Sequence, residues 1–168
     1  MPTISITTAL GRFNVFVDLQ NAPITAGNFL AYVDQNYLNN AVIERLLTPE
    51  NDDSPRYKIG VIQWGTRDPD KVFAPIQHEP TSVTGLSHTD GTLSLARPPN
   101  GTGQSLFFIC MGDHPCLDHG GLRYEDQQGF AAFGRVIEGM GVLRSIYARA
   151  EPQDYLAAPI QIHTVQRV

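Results

Sequence analysis

The stretch TISITTALGRFNVFVDL, residues 3–19, determines the class of fold. Apolar residues occupy positions 4 and 6, then positions 13, 15, 17 and 19, so each run alternates with a period of two. A turn at Leu10-Gly11-Arg12 separates the two runs. A period of two places every second side chain on the same face of a β-strand. The stretch therefore predicts a β-hairpin with one buried face.

Most of the remaining chain continues as short apolar runs. Six of these predict further strands: AVIERLL (41–47), YKIGVIQWG (57–65), GTLSLAR (91–97), SLFFICMG (105–112), GFAAFGRV (129–136) and PIQIHTVQRV (159–168). Two segments have apolar residues at helical spacing instead: APITAGNFLAYVDQN (22–36) and EGMGVLRSIYARA (138–150). Pro23 suits the first turn of the first helix, because its missing N–H would have no helical partner there.

Eight strands and two helices predict the architecture. Turns or irregular loops, not helices, separate most of the strands, which excludes a repeated βαβ pattern and favours an antiparallel barrel or sandwich. A closed eight-stranded barrel fills its interior with its own side chains, so a functional site would lie on the outside or in the mouth. We find no repeats and no convincing linker, and we expect one domain over residues 1–168.

The composition excludes several classes of protein. The chain has 168 residues, 42% of them hydrophobic, with a net charge of −5. The hydrophobic content is too high for a disordered chain, and no apolar run approaches the roughly 20 residues of a membrane helix. The acidic balance argues against nonspecific nucleic-acid binding, and two cysteines exclude a disulfide-rich scaffold.

The first residues carry no basic segment followed by an apolar stretch. We therefore expect a cytoplasmic protein, or a periplasmic one from which a leader has been removed.

Two segments invite a ligand-binding interpretation. Gly101-Thr102-Gly103 resembles a phosphate-binding loop only loosely, because it lacks the Lys-Ser/Thr of a nucleotide-binding loop. Residues 110–119 bring two Cys, two His and two Asp close together in sequence, as a zinc site would require. Cys110, however, belongs to an apolar strand pattern, and the usual spacings of zinc ligands are absent. An ordinary turn and an ordinary polar loop are the simpler interpretations.

A hydrolase triad is not indicated by the sequence. Ser94 and Ser105 lack the glycine-framed motif that exposes a nucleophilic serine. His78 and His88 flank a turn-rich segment, and we interpret them as surface or hydrogen-bonding residues, not as general bases.

Two polar residues stand out within apolar runs. Arg45 follows Glu44 in AVIERLL, and strict alternation would place the two side chains on opposite faces of the strand. Gln63 lies within VIQWG. Taken alone, both positions are compatible with solvent-facing side chains, so composition and spacing do not assign them a role.

Six motifs, in order along nearly the whole chain, resemble those of the cyclophilin-type peptidyl-prolyl cis-trans isomerases, particularly the bacterial members. They are Ala22-Pro23 with Thr25 and Asn28-Phe29; Ile43-Glu44-Arg45; Val61-Ile62-Gln63-Trp64-Gly65; Gly91-Thr92-Leu93-Ser94-Leu95-Ala96-Arg97; Ser105-Leu106-Phe107-Phe108-Ile109; and Leu117-Asp118, followed by FAAFGRV (130–136) and Glu138-Gly139-Met140.

The resemblance implies a mainly β fold: a closed eight-stranded antiparallel β-barrel capped by two α-helices. It also implies that Arg45 and Gln63 are catalytic, with Gln63 binding a substrate carbonyl. Further substrate-binding positions implied by the resemblance are Val61, Ala96, Arg97, Leu106, Phe108, Cys116, Leu117 and Phe130. Among them, Phe108 and Leu117 would form part of a pocket for the proline ring, and the backbone of Arg97 would line the groove.

The resemblance further implies a monomer that needs no metal and no cofactor. Its partners would be proline-containing peptides and unfolded or folding protein chains, with no nucleic acid and no membrane among them.

Several positions depart from the family pattern. Gly60 and Val61 replace a Phe and a Met, Leu106 replaces a glutamine, and Phe130 replaces a His or Tyr. Cys116 stands where the family has an aromatic residue that contacts cyclosporin A, so we expect weak binding of that drug at most.

These departures keep a second interpretation open, in which the domain binds proline-containing chains with weak or no turnover. A metal-dependent hydrolase is a third. The presence of both Arg45 and Gln63 favours the isomerase.

Overall fold

The computed structural model describes residues 2–99 and 101–168. The strands are β1 (Thr3–Thr8), β2 (Gly11–Val17), β3 (Val42–Leu47), β4 (Val61–Gly65), β5 (Thr92–Leu95), β6 (Leu106–Cys110), β7 (Ala131–Glu138) and β8 (Tyr155–Arg167). The α-helices are α1 (Pro23–Asp34), the single turn α2 (Thr81–Thr84) and α3 (Met140–Tyr147), and short 3₁₀ turns span Pro69–Lys71 and Pro115–Leu117.

The eight strands close into a barrel in the order β1-β2-β7-β5-β6-β4-β3-β8. Every neighbouring pair is antiparallel, including β1 with β8, which closes the sheet. The expected closed eight-stranded antiparallel β-barrel with two main helices is confirmed. No helix among the described residues is long and apolar enough to cross a membrane.

The opening hairpin forms as its alternation predicts. Thr8 pairs with Gly11 across a two-residue turn, and the alternate residues of both strands face the core. Phe29, on the buried face of α1, packs against Trp64, Phe107 and Phe133, with ring centroids 5.0–5.9 Å apart. The first predicted helix therefore contributes the centre of an aromatic core shared with three strands.

Two strands begin four residues away from the start that the sequence predicts. The run 57–65 is a strand only from Val61, since residues 57–60 belong to a loop. The last strand begins earlier than predicted, at Tyr155. Ile160 pairs with Ile43 of β3, and the next paired residue of β8 is Tyr155, opposite Arg45. Residues 156–159 lie between these two pairs and are not themselves paired with β3.

A β-bulge in β3 interrupts the alternation that was expected for Glu44 and Arg45. Ile43 pairs with Trp64, whereas Arg45 pairs with Gln63, so Glu44 is the extra residue on the bulged strand. A bulge interrupts the period of two and redirects the side chains around it. Glu44 and Arg45 therefore both contact Gln63, and the prediction that they lie on opposite faces is wrong.

A distant carboxylate caps α1. Ala22, the residue before the helix, offers no side-chain acceptor. The buried Glu79 instead accepts hydrogen bonds from the backbone N–H of Ile24 at 3.2 Å and of Thr25 at 3.0 Å, and from the Thr25 hydroxyl at 2.8 Å. A negative charge at a helix N-terminus also interacts favourably with the helix dipole.

We predict that Glu79→Gln lowers the free energy of unfolding by about 2 kcal/mol, because the amide loses charge-assisted bonds and presents an NH₂ group to backbone donors. Urea unfolding measures the change, and Glu125→Gln, at an exposed position, is the matched control. Equal stability of the two variants would contradict the capping role.

Candidate active site

A cleft of about 590 Å³ lies on the outer face of the barrel wall. In β4 and β6, Ile62, Phe107 and Ile109 point into the barrel core. The alternate residues Val61 and Phe108 therefore point outward, where they form a second apolar cluster. The cleft lies over this cluster, outside the filled barrel.

The floor of the cleft is apolar and aromatic. The rings of Phe108 and Phe130 meet edge to face with centroids 5.5 Å apart, and Tyr124 lies 4.9 Å from Phe130. Leu117 is fully buried in the same cluster. Flat apolar walls of this kind suit an uncharged ring on a ligand.

Arg97 supports this floor from the side. Its guanidinium lies 4.9 Å from the Tyr124 ring and 5.2 Å from the Phe130 ring. Two 3.0 Å bonds join it to the Asp126 carboxylate, and its Nε donates to the Gly129 carbonyl. Only 4% of the side chain is exposed. The arginine therefore fixes the loop that carries Phe130 and has little surface left for a ligand.

Arg45 also lines the cleft, where a carboxylate and an aromatic ring hold it. Its Nε donates to Asp154 Oδ2 at 2.7 Å, and its guanidinium lies 5.3 Å from the Tyr155 ring. Its Nη1 lies 3.5 Å from Gln63 Oε1, at the edge of hydrogen-bond distance. The carboxylate thus occupies Nε and Gln63 lies beside Nη1, while Nη2 has no side-chain partner among the described contacts of this cleft-lining arginine.

Gln63 joins Arg45 to a second ion pair. Its Nε2 donates to Glu44 Oε1 at 3.1 Å. The same carboxylate receives Nε and Nη2 of Arg67 at 2.9 and 3.0 Å. The row Arg67–Glu44–Gln63–Arg45–Asp154, called here the polar row, borders the apolar floor.

Two loops that flank the cleft are tied together by Asp52. Its carboxylate accepts bonds from Arg123 at 2.7 Å and from the backbone N–H of Ser54 and Ile59 at 3.0 Å. Burial alone would raise the pKa of Asp52, but these hydrogen bonds outweigh it and hold the pKa below its ordinary value. Asp52 therefore stays charged and keeps the loop containing Ile59 against the loop containing Arg123.

Nine of the ten predicted site residues line this one cleft: Arg45, Val61, Gln63, Ala96, Arg97, Leu106, Phe108, Leu117 and Phe130. The tenth, Cys116, lies outside the lining. Its Sγ is 3.8 Å from the Tyr57 carbonyl oxygen, and its side chain packs at the margin of the apolar floor.

Gly60, which replaces a Phe of the family pattern, does not leave a gap in the cleft. Ile59 lines the cleft beside Val61, while Gly60 points the other way. A Cβ at Gly60 would collide with the Tyr147 hydroxyl, which donates to the Leu47 carbonyl at 3.1 Å. Helix α3 therefore fills the space next to Gly60, and the apolar surface at this point is supplied one residue earlier.

Sequence patterns alone assign no role to the carboxylates that hold the arginines of the cleft. Glu44 lies in the β3 bulge. Asp126 lies in a loop, and Asp154 directly precedes β8. Asp154 is paired with Arg45 across 109 residues. Only the three-dimensional structure brings these charges to the arginines.

Comparison with known proteins decides the family. The family model for cyclophilin type peptidyl-prolyl cis-trans isomerases matches residues 3–167. The chain belongs to the cyclophilin family. A peptidyl-prolyl cis-trans isomerase of Acinetobacter baylyi is 32% identical over 145 residues, covering 85% of this chain and 70% of that protein. The isomerase cyp18 of Streptomyces antibioticus is 32% identical over 153 residues, covering 87% and 83%.

Solved structures show the same fold. A cyclophilin type peptidyl-prolyl cis-trans isomerase of Cryptosporidium parvum has a TM-score of 0.72 at 20% identity, covering 99% of this chain and 97% of that one. A second structure of that protein, in the presence of the dipeptide Ala-Pro, has a TM-score of 0.71. The expected enzyme class, peptidyl-prolyl cis-trans isomerase, is confirmed.

Beneath the cyclophilin cleft, three residues adopt the order of a hydrolase triad. His88 Nδ1 lies 2.7 Å from Asp118 Oδ1, and His88 Nε2 lies 2.8 Å from Ser94 Oγ. Ser94 is fully buried, so no substrate reaches its oxygen. The His88 ring stacks near Phe108, at 6.0 Å between centroids. The three residues support the floor, as the hydrogen-bonding interpretation of His88 expects.

The candidate metal ligands of residues 110–119 are not grouped around one point. The His114 ring bonds to the backbone of Gly60 and Met111, and Cys110 is buried in β6. In residues 2–99 and 101–168, no three His, Cys, Asp or Glu side chains are grouped so that they could hold a metal ion.

Burial lowers the pKa of His88 below its ordinary value of 6.5, against the opposing effect of Asp118. The unfolded chain therefore binds a proton at this site more readily than the folded chain does. We predict that stability falls as the pH drops through 6.5 toward the folded-state pKa, because the unfolded state then carries more protons.

Urea unfolding at pH 7.5 and 5.5 measures this effect. His88→Gln should show a smaller loss between the two conditions, whereas His163→Gln, at an exposed position, should keep the full loss. An NMR titration that places the His88 pKa at or above 6.5 would contradict the assignment.

Proposed function

We propose that the protein catalyses rotation about X-Pro peptide bonds by a hydrogen bond from Arg45 to the prolyl nitrogen. The observation that carries the proposal is a guanidinium fixed by Asp154 at the border of an apolar, aromatic cleft. Amide resonance gives the X-Pro bond a barrier of about 18–20 kcal/mol. Twisting the bond breaks that resonance and localises a lone pair on nitrogen, which a fixed donor stabilises.

This donor acts mainly in the twisted state, because the lone pair of a planar amide nitrogen is delocalised into the carbonyl and is a poor hydrogen-bond acceptor. Stabilisation that exists only in the transition state raises the rate of turnover. A reduction of about 7 kcal/mol in the barrier corresponds to roughly 10⁵-fold in rate. Arginine suits the task because it stays protonated and presents several donors in a rigid plane. The step requires no nucleophile, metal or cofactor.

The substrates are proline-containing peptides and unfolded or folding chains. The floor formed by Phe108, Leu117 and Phe130 suits a prolyl ring. Gln63 lies next to Arg45 and offers an amide N–H to a substrate carbonyl. The Ala-Pro dipeptide present with the Cryptosporidium protein belongs to this class of ligand.

A binding module without turnover is the second candidate, favoured by the departure of Leu106 from the family pattern. Leu106 lines the cleft as an apolar residue. Loss of the family's amide there removes one polar contact to the peptide but leaves Arg45 in place.

We predict that Arg45→Ala lowers the isomerisation rate of a Pro peptide at least tenfold, as expected for loss of a transition-state hydrogen bond of about 1.4 kcal/mol or more. Arg45→Lys should recover only part of the rate, since lysine keeps the charge but loses the planar fork. NMR exchange spectroscopy gives the rates.

Circular dichroism confirms that the variants are folded, and Arg149→Lys, at an exposed position, is the control substitution. Wild-type rates in folded Arg45→Ala would eliminate the proposed mechanism. Binding of the peptide by the wild-type protein without acceleration would select the binding module.

Cyclosporin A should bind weakly. Cys116 offers a weak donor and little area, and its side chain lies outside the cleft lining. Loss of an aromatic hot-spot contact costs about 2 kcal/mol or more, which is roughly thirtyfold in affinity. Calorimetry should show that this protein binds cyclosporin A more weakly than typical eukaryotic cyclophilins do. The Cys116→Trp variant should bind the drug more tightly than the wild type. Nanomolar affinity of the wild type, or no gain in the variant, would contradict this expectation.

A further inference from the structure

Glu44 occupies an unusual place for a carboxylate. It is the extra residue of the β3 bulge, between two positions that pair normally with β4. Its side chain is only 13% exposed, which is low for a carboxylate, and most of the other residues of the strand are apolar. Bulges are common beside active sites, where they redirect a side chain. Here the bulge brings Glu44 to the same side as Gln63 and Arg45.

The contacts of Gln63 permit one orientation of its amide. A carboxylate can only accept hydrogen bonds and a guanidinium can only donate them. Nε2 therefore faces Glu44 at 3.1 Å, and Oε1 faces Arg45 Nη1 at 3.5 Å. A flipped amide would set its oxygen against the Glu44 carboxylate and its NH₂ group against the guanidinium, so both contacts would become repulsive.

We infer that Glu44 is a positioning residue for the isomerase reaction: it fixes the amide of Gln63 so that one N–H faces the substrate carbonyl and Oε1 faces Arg45. The amide carries two N–H groups, and Glu44 accepts one of them. The second is thereby presented to the cleft that Gln63 lines. This inference rests on the proposed function.

Arg67 completes the arrangement. It holds both oxygens of Glu44 in a paired contact, with Nε at 2.9 Å and Nη2 at 3.0 Å. Bidentate pairing restricts the rotation of the carboxylate and so fixes the direction from which Gln63 Nε2 is held. Arg67 therefore orients the carboxylate of Glu44, and that carboxylate orients the amide of Gln63.

The test compares Glu44→Gln and Glu44→Ala by steady-state isomerisation of a Pro peptide. Gln63 binds the substrate carbonyl in the ground state, so loss of its orientation should raise KM. We expect about a tenfold rise in Glu44→Ala, matching the loss of one hydrogen bond to a charged group. Glu44→Gln keeps an acceptor oxygen and should show a smaller rise. A merely structural defect would lower the active fraction and leave KM unchanged.

Asp34→Asn is the matched control. Asp34 and Arg167 form an equivalent bidentate pair, at 2.8 and 2.9 Å, between α1 and β8 and outside the cleft lining. This variant should keep the wild-type KM. The side-chain amide signals of Gln63, assigned by their loss in Gln63→Glu, give an independent readout and should shift in both Glu44 variants.

The outcomes separate this inference from the proposed function. An unchanged KM and unshifted Gln63 signals in Glu44→Ala, with Arg45→Ala inactive, would overturn the role of Glu44 alone. An unaffected Arg45→Ala would overturn the proposed mechanism instead. A raised KM in the Glu44 variants but not in Asp34→Asn supports the positioning role.

Discussion

Closure of the barrel is the constraint on which the site depends. Because β1 pairs with β8, the sheet has no free end, and its interior is filled by side chains such as Ile62, Phe107 and Ile109. No room remains inside for a ligand. Strands β4 and β6 therefore carry a second apolar surface on their outer face, and loops and short turns surround this surface. In β4 and β6, one set of alternate residues packs in the core, and residues of the other set line the cleft.

The cleft is rich in arginine, yet each guanidinium has a carboxylate partner. The pairs are Arg45–Asp154, Arg67–Glu44, Arg97–Asp126 and Arg123–Asp52. The two more exposed pairs, Arg45–Asp154 and Arg67–Glu44, contribute little to stability, about 0–1 kcal/mol each. Their value here is geometric. A side chain as long as arginine loses rotational freedom when it binds, and a partner that already holds it removes that cost before substrate arrives.

Alternation and glycine or proline punctuation suffice to predict the strands, because both reflect local backbone geometry. Family motifs suffice to bring Arg45, Gln63 and the floor residues into one cleft. Glu44 was placed on the wrong face because a bulge depends on pairing with β4 and β8, which no local pattern encodes. Asp154 was missed because its partner lies 109 residues away. The surroundings of Gly60 could not be predicted, because Tyr147, from a helix distant in sequence, fills the space beside it.

A donor to the prolyl nitrogen gains its effect only when it is aimed before the bond twists, since reorganisation during the reaction would consume the gain. In water, a free guanidinium would exchange solvent bonds for the new bond at little net benefit. Asp154 and Tyr155 fix one edge and one face of Arg45, and Gln63 limits its rotation. Under the proposed mechanism, the rate therefore depends on how firmly the polar row is held as well as on the presence of the arginine.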